Sequence, residues 1–449
     1  MAPGGLASLP LPETRPNRWL KTPDYLWGVL SGGHRAVLRV LAVGVAAFAL
    51  LSPPANASPT IRYGIQDDAW LLYGPGTMTE RLNRLQNLGV EVVRINVLWN
   101  EVEPSRGVYN WSLYDPLVKG LHQRGIEPVL TLVSAPSWSN GGQATNFAPT
   151  SGAPFAAFAK AAAEHYPYVT RWLIWNEPNH RSWLRPTSPS IYVTRLLNPA
   201  YTAIHSVIKH VMVGGGVTAP DAATGGVSPV AWIKGMAAAH AKLDAYAHNP
   251  YPSDPTETPT SGGCMHCSTL TMATLPKLIT DVKNAFGKSK RIWLTEYGYQ
   301  TNPPDPYLGV SLADQALYLS EAALRAYLAP RVDMLINYLV QDEPDLSGWQ
   351  SGLLTDTGVE KPSYAAFQVP LTVEKHTRTT VTLWGQIRPG SGRQDYVLQE
   401  LQGDRWLSVG TTAQTSPRGF FTRVVSAVAG TSFRVLQLAR GLTSATLTS

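Results

Sequence analysis

The sequence is poor in cysteine, in charge and in long apolar runs. Two cysteines among 449 residues exclude a disulfide scaffold and a cysteine-rich zinc framework. Charged residues reach only 15%, against roughly 25% in typical soluble domains. No apolar run attains the roughly 20 residues that span a bilayer. There is no G-x-S-x-G elbow, Walker loop, G-x-G-x-x-G after a strand, or H-E-x-x-H, so serine-hydrolase, nucleotide-binding and zincin chemistries find no support. Neither a metal nor a cofactor is expected. What the chain does hold is 44% apolar residues, which rules out a disordered chain, and 38 Gly with 36 Pro, which imply many turns and long loops. Its length fits about three average domains, or an α/β barrel with a small added module.

The formal net charge of +6 is unevenly spread. Residues 1–57 carry +3 and residues 371–449 carry +5, leaving −2 for the long stretch between them. A nucleic-acid groove would cluster Lys and Arg in the main domain. The excess lies at the two ends instead, and no nucleic-acid partner is expected.

Val40–Leu51 (VLAVGVAAFALL) is apolar, follows Arg35 and Arg39, and leads to Ala55-Asn56-Ala57 ahead of Ser58. A basic flank, a short apolar run and a small-x-small site read as a secretory signal peptide. The expectation is export with cleavage after Ala57, giving a secreted or cell-envelope-associated protein. The polar, Pro-rich residues ahead of the apolar run form an N-terminal extension.

Beyond Pro59, β-rich runs alternate with helical stretches. Strands are expected at Ile61–Ile65, Val90–Trp99, Ile126–Val133, Val169–Trp175, His210–Gly216, Leu243–His248, Arg291–Glu296 and Asp333–Leu339. Amphipathic or Ala-rich segments such as Thr79–Leu88, Leu113–Arg124, Pro154–His165, Pro229–Ala241 and Ala313–Ala329 separate them. Eight strand–helix units are the number that closes an α/β (β/α)8 TIM barrel. Gly214-Gly215-Gly216 reads as a turn at the end of the fifth strand. From Leu371 on, short β runs without helical period predict an all-β sandwich-like module. The expected domains are therefore 1–57 (extension and signal), 58–370 (barrel) and 371–449 (accessory module).

Catalytic groups of a TIM barrel project from the C-terminal ends of its strands. Glu177 follows strand four in WLIWNEPN (Trp172–Asn179), and Glu296 ends strand seven in IWLTEYGY (Ile292–Tyr299). Each succeeds an apolar run that must be buried, where a carboxylate is costly unless it is paired or has a chemical task. Glycoside hydrolysis needs two carboxylates flanking the scissile bond. One such Glu alone is more readily a helix cap or an ion-pair partner than a catalyst. The two motifs together are far more specific.

From Ile61 to Phe367 the chain resembles the clan A glycoside hydrolases, retaining (β/α)8 enzymes with glutamates at the ends of strands four and seven. IWNEPN resembles the acid/base segment of family 39, and LTEYGY the nucleophile segment of family 5. The resemblance implies Glu177 as general acid/base and Glu296 as nucleophile. It also implies that Arg94 in VVRINVLW stands beside the nucleophile, since a neighbouring cation favours a charged carboxylate. Asn176 resembles the asparagine that meets the sugar 2-hydroxyl. In HNPY (His248–Tyr251), Tyr251 would contact the nucleophile, and His248 or Asn249 would line the site. Strand eight departs from the pattern: where many members carry Trp, NYLVQDEP offers Tyr338, with Trp349 farther along the loop.

Trp99, Trp138, Trp183 and Trp349 follow predicted strands on the catalytic face, and flat rings suit the C–H faces of sugars. A carbohydrate in an open cleft is the expected partner. Glu101 and Glu103 read as structural partners or remote subsite contacts rather than catalysts. Asp67 and Asp68 read as solvated loop acids in preference to contacts with substrate or a cation, and Asp342, Glu343 and Asp345 as an acidic rim that either binds sugar hydroxyls or keeps the loop soluble. Cys264 and Cys267 lack two further zinc ligands, and in an exported protein they read as a loop-pinning disulfide. The basic C-terminal module suits contact with anionic cell-wall glycan. A catalytically silent sugar-binding or envelope barrel is the alternative, against which the joint presence of Glu177, Glu296, Asn176 and Arg94 argues.

Overall fold

The computed structural model describes residues 57–449. The expected extension and signal peptide, apart from Ala57 itself, lie outside the described residues. Strands β1 (Arg62–Gln66), β2 (Val92–Leu98), β3 (Glu127–Val133), β4 (Arg171–Ile174), β5 (Met212–Thr218), β6 (Ala245–His248), β7 (Arg291–Tyr297) and β8 (Val332–Tyr338) close into one parallel barrel. β8 returns to pair with β1, from Arg62↔Met334 to Gln66↔Tyr338. Every one of the eight falls on a segment expected as a strand, and helices cross between them as the TIM-barrel reading requires.

Local chemistry sets the crossovers. The helix Met78–Leu88 opens on a reciprocal cap: the Glu80 N–H donates to Thr77 Oγ1, and the Thr77 N–H donates to Glu80 Oε2. It stops at Gly89, whose φ of +81° is left-handed. Leu82, Leu85 and Leu88, three residues apart, form its buried face.

Alternation along the strands layers the barrel interior. Val92, Val129, Leu173, Ala245, Trp293, Met334 and Ile336 fill its lower part as an apolar cluster. Two residues farther along the same strands the lining turns polar, with Arg94 on β2, Thr131 on β3 and Thr295 on β7, all fully buried. The glycine run is not a turn: Gly214 and Gly215 lie inside β5. A Cβ on Gly214 would come within 2.8 Å of both Leu173 Cδ2 and the Trp293 ring. The indole of Trp293 occupies the space that a side chain on β5 would need.

The C-terminal strands form two antiparallel sheets. One holds β9 (Leu371–His376), β10 (Thr380–Gln386) and β14 (Phe420–Ser426); the other holds β11 (Asp395–Gln402), β12 (Arg405–Ser408), β13 (Ala413–Gln414), β15 (Ser432–Gln437) and β16 (Leu447–Thr448). Val381, Leu383 and Phe421 from the first pack with Tyr396, Leu398 and Phe433 from the second in a common core. This is the expected sandwich.

The sandwich is seated where the barrel strands begin, opposite the end from which Glu177 and Glu296 emerge. Arg418 Nη2 donates to Ile61 O (2.8 Å) and to Glu91 Oε1 (2.5 Å), and Arg440 Nη2 to Asn87 O (2.9 Å). The Arg388 guanidinium is buried 3.8 Å over the Tyr63 ring and donates to Phe367 O (2.7 Å). Trp384 and Phe420 pack on Tyr327 of the helix Leu312–Leu328. Arg388→Ala removes a charged hydrogen bond and a desolvated cation–π contact together. A loss of about 2–4 kcal/mol in unfolding free energy is expected, read by chemical denaturation.

Candidate active site

The turn after β4 is over-determined. The Trp175 N–H donates to Leu132 O (2.9 Å) at the end of β3, and the Glu177 N–H to Val217 O (2.9 Å) in β5. Trp175 and Glu177 take left-handed φ values of 69° and 39°. Such conformations cost a non-glycine residue about 1–3 kcal/mol and persist where the surroundings impose them, commonly at functional sites. This turn delivers Asn176 and Glu177 to the barrel mouth side by side.

Arg94 organises the floor. Its Nε donates to Thr131 Oγ1 (3.0 Å), its Nη1 to Glu296 Oε1 (2.5 Å) and Thr295 O (3.2 Å), and its Nη2 to Asn176 Oδ1 (2.6 Å). One guanidinium thus ties strands β2, β3 and β7 to the turn after β4, and satisfies a carboxylate that would be costly alone. The other Glu296 oxygen, Oε2, accepts from Tyr251 Oη (3.1 Å). Burial first, and Glu296 second, hold the Tyr251 phenol well above its usual pKa, so it stays a donor.

Glu177 has a different environment. Asn249 Nδ2 donates to Glu177 Oε1 (3.0 Å), while Thr295 Oγ1 donates to Asn249 Oδ1 (2.7 Å) and so fixes that amide. Burial first, then the negative charge of Glu296, push the Glu177 carboxyl up to about 7. Two carboxyl groups with unlike partners, one against a guanidinium and one raised toward neutrality, can divide acid and nucleophile roles between them.

Not every expected residue faces this mouth. Trp99 has no exposed surface: it stacks on Phe158, and its Nε1 donates to Glu103 Oε2 (2.6 Å). It is core, and Glu103 is its structural partner. His248 is also fully buried, with Nδ1 against Thr218 Oγ1 (2.8 Å) and Nε2 against Leu270 O (2.8 Å). Burial lowers its pKa to about 4, so it is a neutral wall residue, and Asn249 is the member of HNPY that reaches the carboxyl. Trp138, half-buried, packs edge-on against Trp99 and donates to Glu103 O (3.0 Å).

Strand eight recovers its tryptophan from the loop. Trp349, 39% exposed, lies 5.1 Å from the Tyr251 ring and 5.8 Å from the Tyr338 ring. Its N–H donates to Glu343 Oε2 (2.7 Å). On the Glu177 side, Trp183 is 37% exposed, and its carbonyl accepts from Trp175 Nε1 (2.7 Å).

Several loop acids are not solvated. Asp67 is buried, caps the helix Asp68–Tyr73 through the Trp70 N–H, and accepts from the Val340 N–H (2.9 Å). Asp68 accepts from the N–H and the amide of Asn96, both at 2.8 Å. Asp342 is buried against Lys361 (2.6 Å), whose Nζ also donates to Gln350 O (3.1 Å), pinning the loop that carries Trp349. Cys264 and Cys267 are joined, with Cα atoms 5.3 Å apart. Among the described residues no group of three or more His, Cys, Asp or Glu is arranged to hold a metal ion, and no helix is long and apolar enough to cross a membrane.

A model of the Cellulase family, glycosyl hydrolase family 5, matches residues 55–322. The chain belongs to this family. It is a glycoside hydrolase. Among solved structures, the family 5 chain is similar in fold to a family 39 glycoside hydrolase from the gut symbiont Bacteroides cellulosilyticus WH2. The TM-score is 0.56 at 18% identity, over 83% of this chain and 81% of that one. A glucosidase from Croceicoccus marinus aligns with a TM-score of 0.58 at 13% identity, over 86% of this chain and 96% of that one. The family 39 enzyme from Xanthomonas axonopodis pv. citri gives 0.55 at 13%, over 84% and 93%. No curated protein matches the chain.

Proposed function

We propose that the protein is an exported, retaining glycoside hydrolase that cleaves a poly- or oligosaccharide by double displacement. Glu296 attacks the anomeric carbon while protonated Glu177 donates its proton to the leaving oxygen. Glu177 then takes a proton from water, which releases the sugar from Glu296 with its configuration retained. The observation that carries this reading is the contrast between the carboxyls. Glu296 is held by Arg94 and Tyr251, whereas burial and Glu296 itself raise Glu177 to about 7. Arg94 also engages Asn176 Oδ1, which leaves the amide NH2 to meet a sugar 2-hydroxyl.

Screening the mature protein on aryl glycosides and polysaccharides tests the reading, with Glu177→Ala and Glu296→Ala as controls. Turnover that both variants abolish supports the pair; turnover surviving in both refutes it. Trp349, Tyr251 and Tyr338 supply the apolar wall beside Glu296. Trp349→Ala is expected to lower kcat/KM by ~10-fold, mainly through KM, as loss of one sugar–aromatic contact implies. Steady-state kinetics on the best substrate reads it.

Export rests on the apolar run and A-x-A site, and the joined cysteines suit an oxidising compartment. N-terminal sequencing of protein from the medium or envelope should begin at Ser58. The +5 of residues 371–449 favours contact with anionic wall glycan, which salt-sensitive retention on purified cell walls would register.

A further inference from the structure

His180 lies three residues beyond Glu177, on the same turn. Its Nδ1 stands 3.8 Å from Glu177 Oε2, and its Nε2 is 3.0 Å from Asp221 Oδ1 and 3.2 Å from Asp221 O. Asp221 comes from the loop after β5 and is itself fixed: the Ala223 N–H donates to its Oδ1 (2.9 Å), and Asn179 Nδ2 to its carbonyl (2.8 Å). Both oxygens facing Nε2 are acceptors, so the ring carries a proton there, and Nδ1 is the nitrogen presented to Glu177. The His180 side chain is 16% exposed, so the string Asp221–His180–Glu177 runs from the surface to the carboxyl.

We propose that His180, held by Asp221, is a positioning residue that sets the protonation of Glu177 through the catalytic cycle; this rests on Glu177 being the acid/base. When Glu177 has given its proton to the leaving group, it is an anion in a buried site. Its neighbour Glu296 is then esterified and no longer repels it. A second proton on Nδ1 makes His180 an imidazolium that faces this anion, which stabilises Glu177 as the base for the water step. His180 takes that proton from solvent at its exposed edge as Glu177 becomes an anion, and gives it back to solvent when Glu177 regains a proton from the attacking water, so protons balance over the cycle.

The charged groups facing His180 are Glu177 on its own turn and Asp221 across from it. Arg94 from β2 and Glu296 from β7 act on Glu177 from the other side. Burial opposes charge on the ring, but Asp221 and Glu177 outweigh it and hold His180 above its usual pKa. The ring's charge in turn draws Glu177 downward, against the larger upward effects of burial and Glu296.

His180→Gln removes that charge, so the alkaline limb of kcat/KM should move to higher pH by roughly half a unit or more. The profile is measured on a glycoside with a weakly acidic leaving group, whose first step needs the proton of Glu177. Asp221→Asn, which weakens the ring's charge without touching Glu177, should move the limb the same way by less. It serves as the readout if His180→Gln does not fold. An unmoved limb in a folded His180→Gln, or a limb displaced downward, overturns the proposal, because a purely structural His180 would alter stability and rate but not this midpoint. Wild-type activity that ignores Glu177→Gln would instead remove the acid/base assignment on which the proposal stands.

Discussion

Glu296→Gln is expected to lower kcat by about 10^4-fold or more on every substrate, because under the proposed double displacement it removes the atom that forms the covalent bond. The amide oxygen can still accept from Arg94 Nη1, and the amide NH2 can donate to Tyr251 Oη in place of the bond that the phenol now gives. The variant therefore separates chemistry from architecture: substrate affinity and the unfolding midpoint should stay near those of the wild type. Alanine is the less clean probe: it removes the acceptor for Arg94 Nη1 as well as the charge, and leaves both donors facing a cavity, at a cost of about 3–5 kcal/mol for a broken buried pair. Steady-state kinetics with denaturation curves on the same preparations decides it. A loss of stability with only a few-fold loss of kcat would make Glu296 a structural partner of Arg94.

The second large effect concerns Glu177. In the proposed role of general acid it must be protonated at the start of the cycle, and its carboxyl stands at about 7 through burial and the charge of Glu296. The protonated form is complete well below that value and is lost as pH rises through it, so kcat/KM should fall on the alkaline side with a midpoint near 7. Glu177→Gln should abolish that limb and cost ~10^2 to 10^4 in rate where the leaving group is a sugar hydroxyl. Substrates with a strongly acidic phenol as leaving group need little protonation, and their first step should suffer far less. An alkaline limb that survives Glu177→Gln unchanged would assign the titrating acid elsewhere.

Much of this site is legible along the chain because it is local to strand ends. WNEPN and TEYG each place a carboxylate directly after a buried β run, and period-two alternation carries Arg94 to the inner face of β2. The residues that were not legible owe their role to distant contacts. Trp349 returns to Tyr251 across nearly a hundred positions because Asp342 and Lys361 pair in the loop base. Nothing in VQDEPD distinguishes that buried acid from its exposed neighbour Asp345. Asn249 and His248 are adjacent, and alternation sends one into the mouth and the other into the wall; without the register of β6 the choice stays open. Thr131 and Thr295 did carry a signal, as polar residues on the inner face of otherwise apolar strands. The glycines of β5 misread as a turn because their cause, the Trp293 indole, lies two strands away.

The central claim is that Glu296 becomes covalently bonded to the sugar. Incubating the mature protein with the 2-deoxy-2-fluoro, good-leaving-group derivative of its best aryl glycoside should slow release of the sugar and trap the intermediate. Peptide mass spectrometry should then find one fluorosugar per chain, on Glu296 of the peptide containing IWLTEYGY. A label on any other carboxyl group, or turnover with no label and an inverted product, would contradict the account.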